Sequence, residues 1–577
     1  MKTIIDLDTV LEGVQKPGRY IGNEVNSVIK EWTPAMVAFV FAFPDLYEIG
    51  MSHVGLQILY SIINKNEHFV CERVFAPAPD MEARLHATDT PLFSIETKVP
   101  LFAFDMVGFS LQYELHYTQV LAILNLGRIP LYSQERTHEH PIVIAGGPCA
   151  VNPEPLADFI DVFVIGDGEE IVPELLEEYR DIKKECSPED RKKRFFEQIK
   201  DRDGVYVPSL YELDEAGQFK KPKITRRINK RIVRDIDSVD FPTAPIIPYI
   251  RIVHERANVE VMRGCPRQCK FCQARSVYWP LRKRTSEKIR SLVRQVIDNT
   301  GYAEVSLQSL SIGDYPGIEE MLMELTNELS VEKVSVSFPS LRVEKVLKIL
   351  TDYSSLVRKT GLTFALEAGS EELRDSIKKD IDVSIFFKTL ESVLASNNDT
   401  IKLYFMMGLP GETMRDIEAI VELIRKILAM ARVARKKRFR VNVGVSTFVP
   451  KPHTDLECEG LASEENIKAK QSLLRDALMP LHQVKLSLTN YPITFFEALL
   501  SRGDRAVGAL IMHAWQKGAR LDGWAEHFDP DLWWAVTREL NFNCAKYLYD
   551  PINDRTALPW SFIECRPEVT AKGRHEE

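Results

Sequence analysis

The sequence predicts an α/β protein in which two units of parallel strands are followed by a mainly helical region. Strand-like and helix-like segments alternate over residues 31–180, which favours a doubly wound parallel sheet. Six further strand–helix repeats fill residues 251–460, which favours an open (β/α)6 barrel. We expect residues 1–30 to be a lead-in, residues 181–250 a linker, and residues 461–577 a mainly helical region with a disordered polar tail.

Composition and charge narrow the class of protein. Hydrophobic residues at 45% and charged residues at 27% are ordinary for a globular protein. A formal charge of −9 does not indicate a nucleic-acid or membrane surface. No apolar run is long enough to span a bilayer, and the N-terminus carries acids where a signal peptide would be apolar. Nine cysteines in 577 residues form no disulfide framework, so we expect a cytoplasmic protein.

The front unit carries glycine turns at the ends of its predicted strands. The strand-like runs are residues 36–42, 106–110, 142–145 and 161–165. The glycines that follow the last two runs are Gly146, Gly147, Gly166 and Gly168. Because open parallel sheets bind ligands at the carboxyl ends of their strands, we expect a ligand site at these turns.

The predicted linker contains a strongly charged helix at residues 181–203, short strands at 206–208 and 211–213, and a basic run at 220–231. The basic run has two interpretations. It is either a solvated connector, which is the favoured interpretation, or a strip that binds phosphates of RNA or of a nucleotide.

Three cysteines lie at the head of the predicted barrel, immediately after the strand-like residues 257–261. Cys265, Cys269 and Cys272 have the spacing C-x3-C-x2-C, and the next cysteine, Cys458, is far away and alone. Three thiolates on one loop can bind three irons of a 4Fe–4S cluster and leave the fourth iron open to a small molecule. A zinc loop is the alternative, but zinc sites of this kind usually pair two C-x2-C units, and this sequence has no second unit.

The remaining barrel strands are predicted at residues 303–311, 334–342, 362–370, 401–413 and 441–450. Chemistry in such a barrel gathers at the carboxyl ends of the strands. Beyond residue 461 we predict helices at 463–481, 495–500, 506–517 and 530–540, with a strand-like segment at 484–488. We expect the tryptophans there to form a small core against the barrel.

The cysteine spacing and the order of the strand-end motifs over residues 257–450 resemble the radical S-adenosylmethionine (SAM) enzymes. The resemblance implies that Cys265, Cys269 and Cys272 bind a 4Fe–4S cluster whose open iron chelates SAM. It also implies reductive cleavage of SAM to a 5′-deoxyadenosyl radical, with an electron from a flavodoxin- or ferredoxin-like donor.

The same resemblance implies roles for several strand-end residues. Phe271 would lie against the adenine. Glu367 would contact the ribose hydroxyls, which is the favoured interpretation, or would cap the helix that begins at Ser370. Ser309 and Ser311 stand where the family has Gly-Gly-Glu, a sequence that this chain lacks. Gly408 and Pro410 would put backbone groups beside the adenine. Arg342 would either meet the SAM carboxylate or form an ion pair elsewhere.

The front unit resembles the Rossmann-like cobalamin-binding domain that precedes many radical SAM barrels. The resemblance rests on residues 47–56 and on the two glycine turns, and it implies cobalamin as a further cofactor. The D-x-H-x-x-G motif, whose His coordinates cobalt, is absent: His53 lies near the right place, but Met51 replaces the Asp. His53 is therefore either a cobalt ligand or, more simply, a cap or packing residue of the following helix.

The order of the domains, together with residues 502–505, resembles a subgroup of cobalamin-domain radical SAM proteins to which no reaction is assigned. Methyl transfer is the leading reaction if cobalamin is bound. RNA modification is an alternative, suggested by the basic runs at 220–231 and 435–438. A SAM- or redox-sensing protein without turnover is a third reading. The sequence does not name the substrate, and nucleic acid is not the favoured partner.

Overall fold

The computed structural model describes residues 5–211, 227–337, 362–395, 399–436 and 438–567. The chain forms two compact units. The front unit comprises Met1–Glu255, Leu500–Asn543 and Asp554–Glu577, and the core unit comprises Arg256–Leu499 and Cys544–Asn553. No helix in the described ranges has the length and apolarity needed to cross a bilayer.

The front unit is built on one sheet, which has six strands among the residues that the structure describes. They are β1 (Val37–Phe43), β2 (Phe69–Phe75), β3 (Met106–Ser110), β4 (Ile142–Gly146), β5 (Val162–Val164) and β6 (Val205–Tyr206). Their order is β2-β1-β3-β4-β5-β6. The first five strands are parallel, and β6 is antiparallel to β5. The doubly wound parallel sheet predicted from the sequence is confirmed.

Strand β2 is absent from the sequence prediction because charged residues interrupt its apolar run. Arg73 is fully buried in β2, where its guanidinium lies 2.6 Å from Glu96 and 2.9 Å from Glu24. Glu72, also buried, accepts the indole N–H of Trp32 at 2.9 Å. Buried charges persist only when they are paired in this way, so the strand depends on partners that lie outside its own sequence.

Helices flank this sheet. Those of the front half of the chain are Leu7–Leu11, Tyr47–Gly50, Val54–Lys65, Pro79–Ala87, Tyr117–Leu126, Gly168–Glu185 and Pro188–Ile199. The single charged helix predicted at 181–203 is wrong. Two helices meet there, because Pro188 lacks the N–H that would continue the first helix and instead occupies the first turn of the second.

The sequence places residues 461–577 in one C-terminal region, whereas the chain divides them between the two units. Within the front unit, the Asn152 amide donates to the carbonyl oxygens of Ser501 at 2.8 Å and Gly503 at 3.0 Å. Arg505 lies 3.1 Å from the buried Glu154. The strand β7 (Ile228–Asn229) also pairs with Ile563–Glu564. Residues of the C-terminal part therefore complete the front unit.

The core unit contains parallel strands in two described sheets, in the orders β12-β11-β8 and β13-β14-β15-β16. The strands are β8 (Ala257–Glu260), β9 (Met262–Arg263), β10 (Arg282–Lys283), β11 (Glu304–Gln308), β12 (Ser335–Ser337), β13 (Leu362–Glu367), β14 (Thr400–Met407), β15 (Arg440–Thr447) and β16 (Val484–Leu488). The six predicted barrel strands are present as β8 and β11–β15. Strand β16, which the sequence analysis leaves in the C-terminal region, pairs with β15 and extends the second sheet.

Helices alternate with these strands. They are Ala274–Val277, Ser286–Thr300, Ile318–Ser330, Glu371–Ser376, Val383–Ala395, Met414–Val433 and Glu464–Leu478. Among the later helices, Ala545–Leu548 belongs to the core unit, and Val507–Gln516 and Pro530–Glu539 belong to the front unit. The helix Tyr491–Arg502 begins in the core unit and ends in the front unit. The expected tail beyond Arg566 lies almost entirely outside the described residues, which end at position 567.

Candidate functional site

The three cysteines lie on a loop that a short hairpin closes. Strands β9 and β10 pair antiparallel on either side of it. Gly264 opens the loop with φ +86°, and a Cβ there would come within 2.7 Å of the Pro280 carbonyl oxygen. Only glycine accepts both this backbone and this contact. Within the loop, the Cys272 N–H donates to the Cys269 carbonyl at 3.2 Å, so the last two cysteines share one tight turn.

Later segments of the core unit hold this loop in place. The Lys270 N–H donates to the Ile377 carbonyl at 3.0 Å, and the Asp455 N–H donates to the Lys270 carbonyl at 3.1 Å. The Arg275 guanidinium lies 2.9 Å from the Asp455 carboxylate. Because both the N–H and the carbonyl of Lys270 form backbone hydrogen bonds, the middle of the cysteine loop is held in place by the rest of the core unit.

The three cysteines are half-buried, and none of them forms a disulfide within the described residues. Burial raises the pKa of Cys265 and of Cys272, and negative charge on a neighbouring cysteine raises it further. That neighbour is Cys269 for Cys265, and Cys265 for Cys272, so the thiols feel one another's charge. In the part of the chain that the structure describes, no three His, Cys, Asp or Glu side chains are grouped to hold a single metal ion. A 4Fe–4S cluster binds each thiolate to its own iron, so its donors need not converge on one point.

The segment after β11 is tied to the cysteine loop. The Ser311 N–H donates to Ser309 Oγ at 3.1 Å, and Ser311 Oγ donates to the Asp314 carboxylate at 2.6 Å. Arg267, inside the loop, donates its Nε–H to the same carboxylate at 2.9 Å. The serines predicted at the SAM amino group thus lie in a hydrogen-bonded turn that Arg267 joins to the cysteines.

Phe271 packs against an apolar cluster rather than standing free. The buried members of this cluster are Ala368, Leu373, Ile377, Leu409 and Phe448. The cluster combines residues that follow β13, β14 and β15, so Phe271 brings the loop against the carboxyl ends of three strands. This arrangement places an apolar cluster next to the cysteine loop.

Glu367 ends β13 in the left-handed region, with φ +67°, where the register between β13 and β14 shifts. A non-glycine residue in this region is uncommon and marks a constrained site. Its carboxylate lies 3.0 Å from the ammonium of Lys379, and the two side chains are about equally buried. Lys379 therefore supplies the partner that a half-buried acid needs. The sequence analysis does not single out Lys379, because nothing in the sequence joins it to Glu367.

Gly408 follows β14 with φ +81°, and a Cβ there would come within 2.9 Å of Ile467. Its N–H donates to the Glu412 carboxylate at 2.5 Å, and Glu412 pairs with Lys470 at 2.6 Å. Both charged side chains of this pair are almost fully buried. Burial raises the pKa of Glu412, and Lys470 opposes that rise. Pro410 is half-buried in the same turn, and Arg342 lies outside the described residues.

In the front unit, His53 caps the helix Val54–Lys65. Its Nδ1 accepts the Leu56 N–H at 3.3 Å, and its ring packs on Phe43 with the ring centres 5.6 Å apart. Burial lowers the pKa of His53 to about 4, although a hydrogen bond with Gln112 opposes the shift. A neutral ring that accepts at Nδ1 carries its proton on Nε2, so neither nitrogen has a lone pair free for cobalt. His53 does not fit a cobalt ligand in this structure.

The glycine turns of the front sheet are approached closely by this chain's own atoms. A Cβ on Gly147 would come within 2.8 Å of the Leu111 carbonyl oxygen, and one on Gly166 within 2.1 Å of the Arg231 carbonyl oxygen. Gly146 and Gly168 are less tightly enclosed, with nearest atoms at 3.3 Å and 3.2 Å. The backbone approach at Gly147 and Gly166 therefore serves internal packing.

The described part of the basic run is engaged in ion pairs within the front unit. Arg231 lies 2.8 Å from Glu170, and Arg227 lies 3.4 Å from Glu564. Residues 212–226, which include the start of the run, lie outside the described residues.

Comparison with known proteins identifies both units. The model for radical SAM proteins, N-terminal, matches residues 55–208, and the model for the radical SAM superfamily matches residues 259–424. An uncharacterized protein of Methanocaldococcus jannaschii is 29% identical over 467 residues, which cover 80% of this chain and 88% of that protein.

A tRNA-2-methylthio-N(6)-dimethylallyladenosine synthase of Clostridium botulinum is 24% identical over 234 residues. This match covers 38% of the chain and 50% of the synthase, so the chain spans only half of that protein. The structure of the radical SAM methyltransferase TsrM from Kitasatospora setae, with cobalamin and a [4Fe-4S] cluster bound, aligns with a TM-score of 0.46 and 12% identity. It covers 71% of this chain and 72% of TsrM.

The parallel α/β fold, the three-cysteine loop and the two matched models define a protein of the radical SAM class. The chain belongs to the radical SAM superfamily, and it is an enzyme whose cofactors include a 4Fe–4S cluster and SAM.

Proposed function

We propose that this enzyme cleaves SAM reductively at a 4Fe–4S cluster held by Cys265, Cys269 and Cys272, and that the radical so formed modifies a substrate. The observation that carries the proposal is the cysteine loop: three thiols on one loop, which the backbone bonds of Lys270 hold in place and which Phe271 brings against residues that follow β13, β14 and β15. The donor set fits the cofactor, because soft thiolates suit iron–sulfur clusters. A cluster held by these three thiolates would supply the one electron that cleaves the carbon–sulfur bond of SAM into methionine and the 5′-deoxyadenosyl radical.

The protein's own residues then position SAM and exclude water. We assign Phe271 and the apolar cluster around it to the adenine. We assign Glu367, whose carboxylate is paired with Lys379, to the ribose hydroxyls, which it would accept in hydrogen bonds. The buried Glu412–Lys470 pair fixes the turn at Gly408 and Pro410, so the other backbone groups of this turn are held in one orientation.

The test is anaerobic reconstitution with iron and sulfide, followed by dithionite, SAM and an assay for 5′-deoxyadenosine. The proposal expects 5′-deoxyadenosine from the wild type and none from Cys272→Ala. A protein that binds the cluster and SAM but forms no 5′-deoxyadenosine would support the SAM- or redox-sensing function instead.

Methyl transfer is the first substrate reaction that we propose to test. SAM labelled in its methyl group would carry label into product, and an accepted substrate without label would exclude this reaction. If the front unit holds cobalamin in this reaction, it must do so without His53 as the cobalt ligand, because both ring nitrogens are committed.

Modification of tRNA is a second candidate, supported by the name of the Clostridium botulinum relative. The described basic residues oppose it, because Arg227 and Arg231 already pair with glutamates. Binding to tRNA that weakens steeply with salt would favour it, and no binding at low salt would remove it. We also propose a cytoplasmic location and a flavodoxin- or ferredoxin-like electron donor, since free thiols and a reduced cluster need a reducing compartment.

A further inference from the structure

We propose that Lys379 is a positioning residue that fixes Glu367 and keeps a positive charge beside the cysteine loop, so that it raises the reduction potential of the bound cluster. This inference rests on the proposed function, because it requires a cluster on Cys265, Cys269 and Cys272. It assigns to Lys379 a role that the site as described above does not require.

Lys379 contacts the predicted SAM residue directly and is linked to the cysteine loop through Ile377. On one side, its Nζ lies 3.0 Å from Glu367 Oε1. On the other side, the Lys270 N–H bonds to the Ile377 carbonyl, only two residues before Lys379. Phe271, next to Cys272, packs against the apolar cluster that contains Ile377. The cysteine loop and the Lys379 turn are therefore one packed substructure.

The turn itself is rigid. The helix Glu371–Ser376 ends just before it, Lys378 adopts φ +53°, and the Lys379 N–H donates to the Arg374 carbonyl at 2.9 Å. The Lys379 side chain is 16% exposed, so its ammonium is held in partly desolvated surroundings. A charge in such surroundings acts over a longer range than one in bulk water.

A cation held beside the cysteine loop favours the more negative, reduced form of a cluster bound there. Net charge near the cluster is one of the factors that set its potential.

The Lys379–Glu367 pair predicts shifts of opposite sign in the reduction potential of the cluster. Removal of the cation in Lys379→Met should shift the potential to more negative values. Removal of the anion in Glu367→Gln, which leaves the cation unopposed, should shift it to more positive values. The double variant should lie between them. Lys379→Arg, which keeps the charge, should stay near the wild type.

The neighbouring Lys378 offers a matched control. It carries the same charge one residue away but is exposed. Lys378→Met should therefore leave the potential unchanged, because solvent screens its charge.

The experiment is a redox titration of reconstituted full-length protein, followed by the electron paramagnetic resonance (EPR) signal of the reduced cluster, with iron content measured in each sample. In Lys379→Met we expect the equilibrium constant for one-electron reduction of the cluster to change at least threefold. A tenfold change corresponds to about 59 mV for one electron. A potential equal to that of the wild type, in Lys379→Met with full iron content, would overturn the inference. A wild type that takes up no cluster would instead overturn the proposed function, so the two failures are distinguishable.

Discussion

The indole N–H of Trp524 donates to the carboxylate of Asp45 at 2.7 Å, which joins the C-terminal part of the chain to the residue pair that follows β1. The other oxygen of Asp45 lies 3.3 Å from Nε2 of His116, beyond the end of β3. Gly523 packs on the same imidazole, since a Cβ there would come within 2.8 Å of it. The chain runs from β1 to its neighbour β2 on one side and from β3 to its neighbour β4 on the other side. Strands β1 and β3 therefore flank the crevice where such sheets bind ligands. The chain's own C-terminal residues contact this crevice.

Trp524→Phe should destabilise the protein, because it keeps the ring but leaves the buried Asp45 without one of its donors. The loss of one partner of a buried charged group costs about 1–3 kcal/mol. Urea unfolding of the full chain measures this change. Trp515→Phe is the matched control, because the Trp515 N–H is buried with no hydrogen-bond partner among the described residues. A cost in Trp515→Phe equal to that in Trp524→Phe would refute the role of the Asp45 bond.

Arg73→Met should destabilise the front unit strongly, because it leaves Glu24 and Glu96 buried without their cation. Breaking one side of a buried ion pair costs about 3–5 kcal/mol. The control is Arg128→Met, since the Arg128–Asp89 pair is exposed and such pairs contribute about 0–1 kcal/mol. Equal midpoints of unfolding for the two variants would contradict the proposed importance of the Arg73 network.

His53 should make stability depend on pH. Its pKa is about 4 in the folded protein and ordinarily 6.5, so the unfolded chain binds the proton first as the pH falls. The stability that His53 contributes is complete above pH 6.5, and it is lost as the pH falls toward 4. His53→Asn keeps a capping oxygen but cannot titrate. Between pH 7 and pH 4 the free energy of unfolding should therefore fall less steeply for His53→Asn than for the wild type. The same pH dependence in both proteins would exclude the assignment.

Lys470→Met should weaken SAM binding through the turn at Gly408. Without its cation the buried Glu412 takes up a proton, and its bond from the Gly408 N–H loses strength. We expect a higher KM for SAM, with the iron content of the cluster unchanged. The control is Lys468→Met, whose partner Glu464 lies with it on an exposed helix face. An unchanged KM in Lys470→Met would show that the turn does not depend on this pair.

Sequence reasoning recovers the elements whose signals are local. The strands of the front sheet that it finds are continuous apolar runs, whereas barrel strands such as β14 and β15 alternate buried and more exposed residues. It misses β2, because Arg73 and Glu72 find partners that are distant in sequence. It places residues 500–543 in a separate C-terminal region rather than in the front unit, since contacts such as Asn152 with Ser501 leave no trace in either segment.

The candidate site divides in the same way. The cysteine spacing and Gly408 are local motifs, and the sequence suffices to select them. Lys379, Asp314 and Lys470 act through Glu367, Arg267 and Glu412, which lie 12, 47 and 58 residues away. Such pairs depend on how the strands are ordered in space, so the sequence alone does not reveal them.

The most direct test of the account is the EPR spectrum of the dithionite-reduced, reconstituted protein, recorded with and without SAM. We expect a 4Fe–4S signal that SAM shifts, because SAM binds the iron that no cysteine occupies. Cys265→Ala, Cys269→Ala and Cys272→Ala should each lose the signal, while Cys458→Ala should keep it. A signal that persists in any of the first three variants, or that SAM leaves unchanged, would contradict the account.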